Sequence, residues 1–265
     1  MSAEDAFRAG KLDDAVAEQG AVVRAAPLDA DARWKLFVLL CFAGELERAE
    51  KQLDALATRD DGLARSAVVH RALLASELER TLVFDGARAP SLPPDAPRHA
   101  RLRVEALAAL GHGDEEGASR LVAEAVEATP PLAGRLDGEP FDGLCDLDDR
   151  FGAVLEVHAG GRYLWIPLDG VRRVDVHAPS SAIDVLWRPA EIVDASGATA
   201  RVFLPSIYPR SRESANPLVA VGRETETLAS GGLELARGHR RFLVARGDAL
   251  GEVPLAALRS LELGG

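Results

Sequence analysis

The sequence is poor in cysteine and contains no long apolar run. Only two of its 265 residues are cysteines, Cys41 and Cys145, and they form no CxxC spacing. This usage is typical of a reducing compartment and excludes a disulfide framework or a cysteine-based zinc scaffold. No run approaches the roughly 18 apolar residues of a membrane helix, and the first residues lack the basic and apolar regions of a signal peptide. We therefore expect a cytoplasmic protein that does not enter the membrane.

Basic charge is also scarce. The chain has 31 Lys and Arg against 42 Asp and Glu, a formal net charge of -11. Nucleic acids and anionic membranes are bound by basic surfaces, so neither is expected as a partner. A protein partner with a basic or apolar surface fits this charge better. The 47% of hydrophobic residues can fill the cores of two modest domains or one large one.

Motifs for catalysis and cofactor binding are missing as well. The six histidines form neither HExxH nor HxH, and there is no GxSxG, P-loop or dinucleotide-binding glycine pattern. An acidic cluster between residues 136 and 152 lacks the spacing of a calcium loop, so helix capping and a solvated linker explain it more simply. We expect no metal and no cofactor. The alternative is an enzyme or small-ligand-binding protein with a site between two domains, which a deep polar pocket with converging titratable groups would favour.

What the first half does contain is an internal repeat. The segment GKLDDA at Gly10–Ala15 matches GELERA at Gly44–Ala49 with an offset of 34 residues, and GHGDEEGA at Gly111–Ala118 is a weaker copy. This offset is the tetratricopeptide period, in which the glycine makes the turn between two paired helices. Apolar spacing predicts helices near residues 2–9, 12–25, 30–43, 45–58, 64–84, 98–110 and 114–128. The proline-rich segment 87–97 is expected to be an extended connector.

One face of the third predicted helix is a candidate binding groove. Helical spacing places four residues on this face: Asp31, Trp34, Val38 and Phe42. In tetratricopeptide-like arrays such a face lines the concave side, which accepts an amphipathic helix from a partner. We predict that these residues form a partner-helix groove. The alternative is that a neighbouring helix or the second half of the chain covers them.

After residue 153 the apolar residues alternate, or cluster in short runs bounded by Gly and Pro. This pattern predicts a hairpin that turns near residues 159–161, several further strands and helical content around 214–229. The fold class is therefore α+β with two domains. Residues 1–135 form a tetratricopeptide-like helical domain and 136–265 a small antiparallel, barrel-like β-rich domain, in which 136–152 is an acidic linker.

Aromatic residues and arginines lie close together in the second half. Tyr, Trp and Arg are residue types that anchor interfaces, and a second candidate surface consists of Arg162, Tyr163, Trp165, Trp187 and Arg188. Packing of the rings in a core, with arginine side chains reaching to solvent, is the alternative.

Four strings in the second half resemble a known family. They are LDGEPFDGLCDLDDRFGAVLEV, GRYLWIPLDGVRRV, DVLWRPAEIV and VFLPSIYPRS, and they follow a repeat-like first half. In this order they resemble the ImpE family, also called TagJ or SciE, accessory proteins of bacterial type VI secretion. Two positions depart from the family pattern: Ala153 stands where a proline is expected, and Arg210 where the family tends toward glycine.

The resemblance implies a non-enzymatic adaptor. Members of the family are described as binding the amino-terminal helix of the sheath subunit TssB, and as linked to sheath recycling by the ATPase ClpV, which this chain would contact only indirectly. No residue-level site is transferred with the resemblance. A scaffold that self-associates through its repeat half is a further alternative.

Overall fold

The computed structural model describes residues 1–58 and 61–264. Its first part is helical, and each of the seven predicted helices is present within a few residues of its expected bounds. They are α1 Ala3–Arg8, α2 Leu12–Ala25, α3 Ala30–Phe42, α4 Leu46–Ala57, α5 Asp61–Phe84, α6 Arg98–Gly111 and α7 Glu115–Ala128. Among the described residues, none of the helices is long and apolar enough to cross a membrane.

The repeated motif forms the same turn three times. Gly10, Gly44 and Gly113 have φ of 77°, 69° and 78°, a left-handed conformation that glycine adopts without strain. After each glycine, the next amide donates to a carbonyl five residues earlier, at 2.9 Å, and so closes the preceding helix. The alanine five residues beyond each glycine is fully buried: Ala15, Ala49 and Ala118. The motif therefore specifies three helix hairpins, α1–α2, α3–α4 and α6–α7.

The second part consists of antiparallel strands. They are β1 Gly134–Leu136, β2 Glu139–Phe141, β3 Gly143–Asp146, β4 Val154–Ala159, β5 Arg162–Pro167, β6 Val171–Val176, β7 Trp187–Asp194, β8 Thr199–Pro205, β9 Thr225–Ser230, β10 Leu233–Gly238, β11 Arg241–Arg246, β12 Ala249–Pro254 and β13 Ser260–Leu263. Eight of these strands form one sheet in the order β2-β1-β13-β6-β7-β8-β4-β5, with β12-β11-β3 and β10-β9 as smaller sheets. Because the large sheet ends at β2 and β5, its hydrogen bonding is that of an open sheet rather than of a closed barrel.

One local expectation needs correction. Residues 136–152 are not a solvated linker, because they contribute β2 and β3 and bury Asp146 and Asp148 at 3% and 0% exposure. The helical content expected around 214–229 is present as the short helix α8, Pro217–Ala220, which is followed by β9. The departure at Arg210 also has a structural consequence: its φ is 59°, a left-handed conformation that explains a family preference for glycine there.

The helical and sheet parts share buried side chains. One apolar cluster that includes most of α3 also contains Ile183, Trp187 and Val221 from the second part. A second cluster joins Phe84 and Ala100 of the helices to Phe151, Tyr163 and Trp165. The two parts therefore pack against each other through two apolar clusters.

Candidate functional site

Only part of the predicted helix groove is accessible to solvent. Asp31 is exposed and Trp34 is half-buried, whereas Val38 and Phe42 are 6% and 7% exposed. The Phe42 ring packs edge-on against Phe7 of α1, with ring centroids 5.0 Å apart. The protein's own chain thus covers half of this face, because the groove side of α3 contributes to the core shared with the sheet part.

Trp34 lies at the open end of that face. Its ring is 5.0 Å from both the Phe37 ring beneath it and the His70 ring of α5. Burial lowers the pKa of His70, so the imidazole beside Trp34 is neutral near pH 7. Asp31, one helical turn earlier, adds negative charge next to this aromatic surface.

The second candidate set lies in the interior rather than on a surface. Tyr163, Trp165, Trp187 and Arg188 are at most 3% exposed, and only Arg162 is exposed. The rings are buried because the helices pack against the side of the sheet that bears them. Arg162 lies 3.3 Å from Glu79 of α5 and is the single member of this set that a partner could reach directly.

A network of charged side chains crosses the contact between α5 and β4. The Arg80 guanidinium binds Glu156 with two hydrogen bonds, from Nε to Oε1 at 2.8 Å and from Nη2 to Oε2 at 3.2 Å. Arg80 also lies 3.2 Å from Glu77 and donates to the carbonyl of Ile207 at 2.9 Å. This two-pronged geometry fixes the orientation of α5 on the sheet as well as its distance.

His158 and Trp187 complete the helix side of the network. His158 Nε2 lies 3.0 Å from Glu77 Oε2, and its Nδ1 is hydrogen-bonded to the Ser76 hydroxyl. The Trp187 indole N–H donates to the same carboxylate oxygen of Glu77 at 3.0 Å. Glu77 of α5 is thereby bound to two strands of the sheet, β4 and β7.

Arg240 extends the network toward the acidic segment. Its guanidinium lies between Glu156 and Asp146, with Nη1 2.5 Å from Asp146 Oδ2, and it stacks 4.5 Å from the Phe151 ring centroid. The Tyr208 hydroxyl donates to Asp146 at 2.6 Å. Asp146 and Asp148 of this segment therefore serve as buried counterions, to Arg240 and Arg150, whereas Asp137, Glu139 and Asp142 remain exposed.

Burial and pairing change the acidity of these groups in opposite directions. Burial alone would raise the pKa of Glu77, but Arg80, His158 and Trp187 outweigh it and hold that pKa well below its usual range. Burial raises the pKa of Asp146, although Arg240 opposes the shift, and burial also raises the pKa of Tyr163. The pKa of His158 is lowered by burial despite its contact with Glu77. At neutral pH the network therefore combines a charged Glu77 with a neutral His158.

The network holds the two parts together and does not open into a reaction site. A cavity of about 290 Å³ does lie between the helices and the β9–β10 hairpin, with Arg150, Arg210 and Arg237 in its walls. Those walls do not include Glu77, Glu156 or His158. Among residues 1–58 and 61–264 there is no group of three or more His, Cys, Asp or Glu side chains that could hold a metal ion.

Sequence reasoning missed this network, although β4 contained a signal for it. In LEVH the polar Glu156 and His158 alternate with Leu155 and Val157, so they lie together on one face of a strand whose other face is apolar. Because a buried charge needs a partner, Glu156 and His158 on one face of the strand predict charged or polar side chains in the element that packs against that face. Their partner in α5, Arg80, could be found only once the two elements were in place.

Comparison with known proteins supports the resemblance. A family model described as ImpE protein matches residues 138–262. A Pseudomonas aeruginosa protein named type VI secretion system accessory component TagJ is 36% identical over 262 residues, which cover 99% of this chain and 91% of that protein. The crystal structure of protein VPA1032 from Vibrio parahaemolyticus has the same fold, with a TM-score of 0.88 at 22% identity over 99% of this chain and 97% of that one. The chain belongs to the ImpE family.

Proposed function

We propose that this protein is an accessory component of a type VI secretion system and that it acts as a non-enzymatic adaptor. The observation that supports this most directly is the match across 99% of the chain to a relative that bears that name. The family resemblance adds the finer proposal that the bound element is the amino-terminal helix of the sheath subunit TssB. Contact with the ATPase ClpV would then be indirect, through the sheath subunit.

The proposed docking surface is the open end of the α3 face. Trp34 offers a half-buried indole and Asp31 an exposed carboxylate, while Val38 and Phe42 continue the same face of α3 but are buried. Three helix hairpins with the same turn suit a tetratricopeptide-like repeat, and such repeats bind helices by packing side chains against an apolar stripe. The net charge of -11 favours a partner helix with basic residues beside its apolar face.

A catalytic role has weaker support. Buried charged groups near the contact of the two parts are paired with one another in Arg80–Glu156 and Arg240–Asp146. Groups satisfied in this way stabilise one arrangement of the chain and are not available to a substrate. The adaptor is therefore the function that we propose.

A peptide-binding experiment tests this proposal. A fluorescently labelled peptide of the TssB amino-terminal helix is titrated with the wild type, with Trp34→Ala, and with Val126→Ala as a control at a 59% exposed position on α7. We expect the wild type and Val126→Ala to bind equally, and Trp34→Ala to weaken binding about tenfold or more, as at interface anchors. Failure of the wild type to bind would refute the adaptor proposal. Equal binding by folded Trp34→Ala would refute the surface.

A further inference from the structure

An apolar groove opens at one end of the large sheet, far along the chain from Trp34. Its floor is formed by side chains of four strands, and one wall by the proline-rich connector. The floor consists of Val157, Ala159, Leu164, Ile166, Ile192, Ala200 and Val202, and the wall of Pro93, Pro94, Ala96 and Pro97. Its volume is about 510 Å³, within the range of roughly 300–1,000 Å³ that ligand pockets occupy. We call it the sheet groove.

The groove exposes the interior side of the sheet. Val157, Ile192 and Val202 belong to the large apolar cluster of the sheet part, and Leu164 and Ile166 pack against that cluster while remaining half-buried. An apolar opening that continues into a core can accept apolar side chains without rearrangement of the strands. Such surfaces mark interaction sites more often than an isolated exposed leucine does.

The charge around the groove has one sign. Three aspartates line it, Asp95, Asp169 and Asp194, and no lysine or arginine is among its lining residues. The pKa of Asp194 is lowered mainly by a hydrogen bond from the Ser196 hydroxyl, and further by backbone hydrogen bonds. Its carboxylate is therefore ionised at neutral pH. Asp169 lies 3.2 Å from the buried His99 imidazole, which fixes the position of its carboxylate. The rim therefore attracts cations and repels anions.

The backbone at the groove limits how a partner can bind. The outer edge of β5 is already covered, because the Trp165 amide donates to the carbonyl of Ser91 in the connector at 2.9 Å. A partner strand therefore cannot extend the sheet at this part of β5. Binding must instead use side chains that enter the groove.

From this geometry we infer that the sheet groove binds a peptide segment of a protein partner that inserts apolar side chains and places a lysine or arginine against the aspartate rim. The apolar floor accounts for the inserted side chains and the acidic rim for the flanking cation. This site lies on the sheet part and is separate from the Trp34 surface, so it does not depend on the function proposed above.

The test uses two synthetic peptides in which leucine alternates with either lysine or glutamate. Binding of each labelled peptide is measured by fluorescence anisotropy at low salt. The blocking variant is Ala200→Trp, which fills the groove from an exposed position on β8. The matched control is Arg201→Trp, because adjacent side chains on a strand point to opposite faces.

We expect the lysine peptide to bind the wild type and Arg201→Trp with similar affinity, and Ala200→Trp to bind it about tenfold more weakly or not at all. Asp95→Lys should weaken binding about three- to fivefold, an effect that added salt removes.

Equal binding of the glutamate peptide, or unchanged binding by folded Ala200→Trp, would overturn the inference. So would a concentration-dependent dimer that Ala200→Trp abolishes, because a second copy would then occupy the groove. If the TssB helix fails to bind while the lysine peptide behaves as expected, only the adaptor proposal fails.

Discussion

The two faces of strand β4 are built on different chemistry. Leu155 and Val157 point into an apolar cluster of the sheet part, whereas Glu156 and His158 point toward α5 and pair with charged and polar side chains. Apolar contact is non-directional, so it holds the sheet together without specifying an orientation. The charged face does specify one, because Arg80 reaches Glu156 only when α5 lies at one angle. The apolar face therefore provides cohesion and the polar face provides alignment.

This difference predicts different responses to mutation. Buried ion pairs add little net stability over apolar groups of the same shape, but removal of one partner leaves a buried charge without compensation. The loss in the free energy of unfolding caused by a mutation on the polar face should therefore depend on pH, and the loss caused by one on the apolar face should not.

The largest effect is expected for Arg240→Met. This change leaves Asp146 and Glu156 without the guanidinium between them, and loss of one partner of a buried pair costs about 3–5 kcal/mol in the free energy of unfolding. Urea denaturation measures it. The control is Arg241→Met, whose arginine is more exposed and is paired with Glu252 at 2.7 Å, and it should cost less than about 1 kcal/mol. Equal costs for the two variants would contradict the central role of the network.

Leu155→Ala should cost slightly less, about 3 kcal/mol, because it leaves a cavity in the apolar cluster. Since no charge is involved, the loss should be the same at pH 5 and pH 8. Leu250→Ala, at a 69% exposed position, is the control and should be nearly neutral. A loss that changes strongly with pH would show that the two faces of β4 are not independent.

An intermediate effect concerns His239. Burial, assisted by Arg188 and Arg241, lowers the pKa of His239 from 6.5 to about 4, and the Ala256 amide donates to its Nε2 at 3.2 Å. Between pH 6.5 and 4 the unfolded chain binds the proton more readily, so the free energy of unfolding falls as the pH falls through this window. We expect His239→Gln to remove about 1–2 kcal/mol of that decrease. Identical pH profiles for the wild type and the variant would refute this assignment.

The smallest effect is expected for Arg162→Ala. Its guanidinium is exposed and lies 3.3 Å from Glu79, and exposed ion pairs contribute about 0–1 kcal/mol. Thermal denaturation at low and high salt should show a small loss that salt reduces further. A loss above about 2 kcal/mol would mean that Arg162 belongs to the aligning network rather than to the surface.

Local sequence patterns were sufficient to predict the helices. The glycine turns at Gly10 and Gly44, together with apolar spacing, predicted all seven helices of the first part, because helix periodicity and termination are determined by nearby residues. The β4–β5 hairpin was predicted for the same reason. Whether the strands form an open antiparallel sheet or a barrel could not be predicted, since strand order depends on pairings between distant segments such as β1 and β13.

The candidate sites were harder to predict. Helical spacing correctly placed Trp34, Val38 and Phe42 on one face but could not reveal that Phe7 covers Phe42. Composition left open whether Tyr163, Trp165 and Trp187 form a surface for a partner or pack in a core, and the structure places them in a core within the chain. Sequence alone does not distinguish an aromatic surface for a partner from one for another part of the same chain.

The central claim is that the polar face of β4 joins the helical and sheet parts into one cooperative unit. Scanning calorimetry of the intact chain at neutral pH tests it most directly. We expect a single unfolding transition whose calorimetric and van't Hoff enthalpies agree. Two separate transitions, one for the helical part and one for the sheet part, would contradict it.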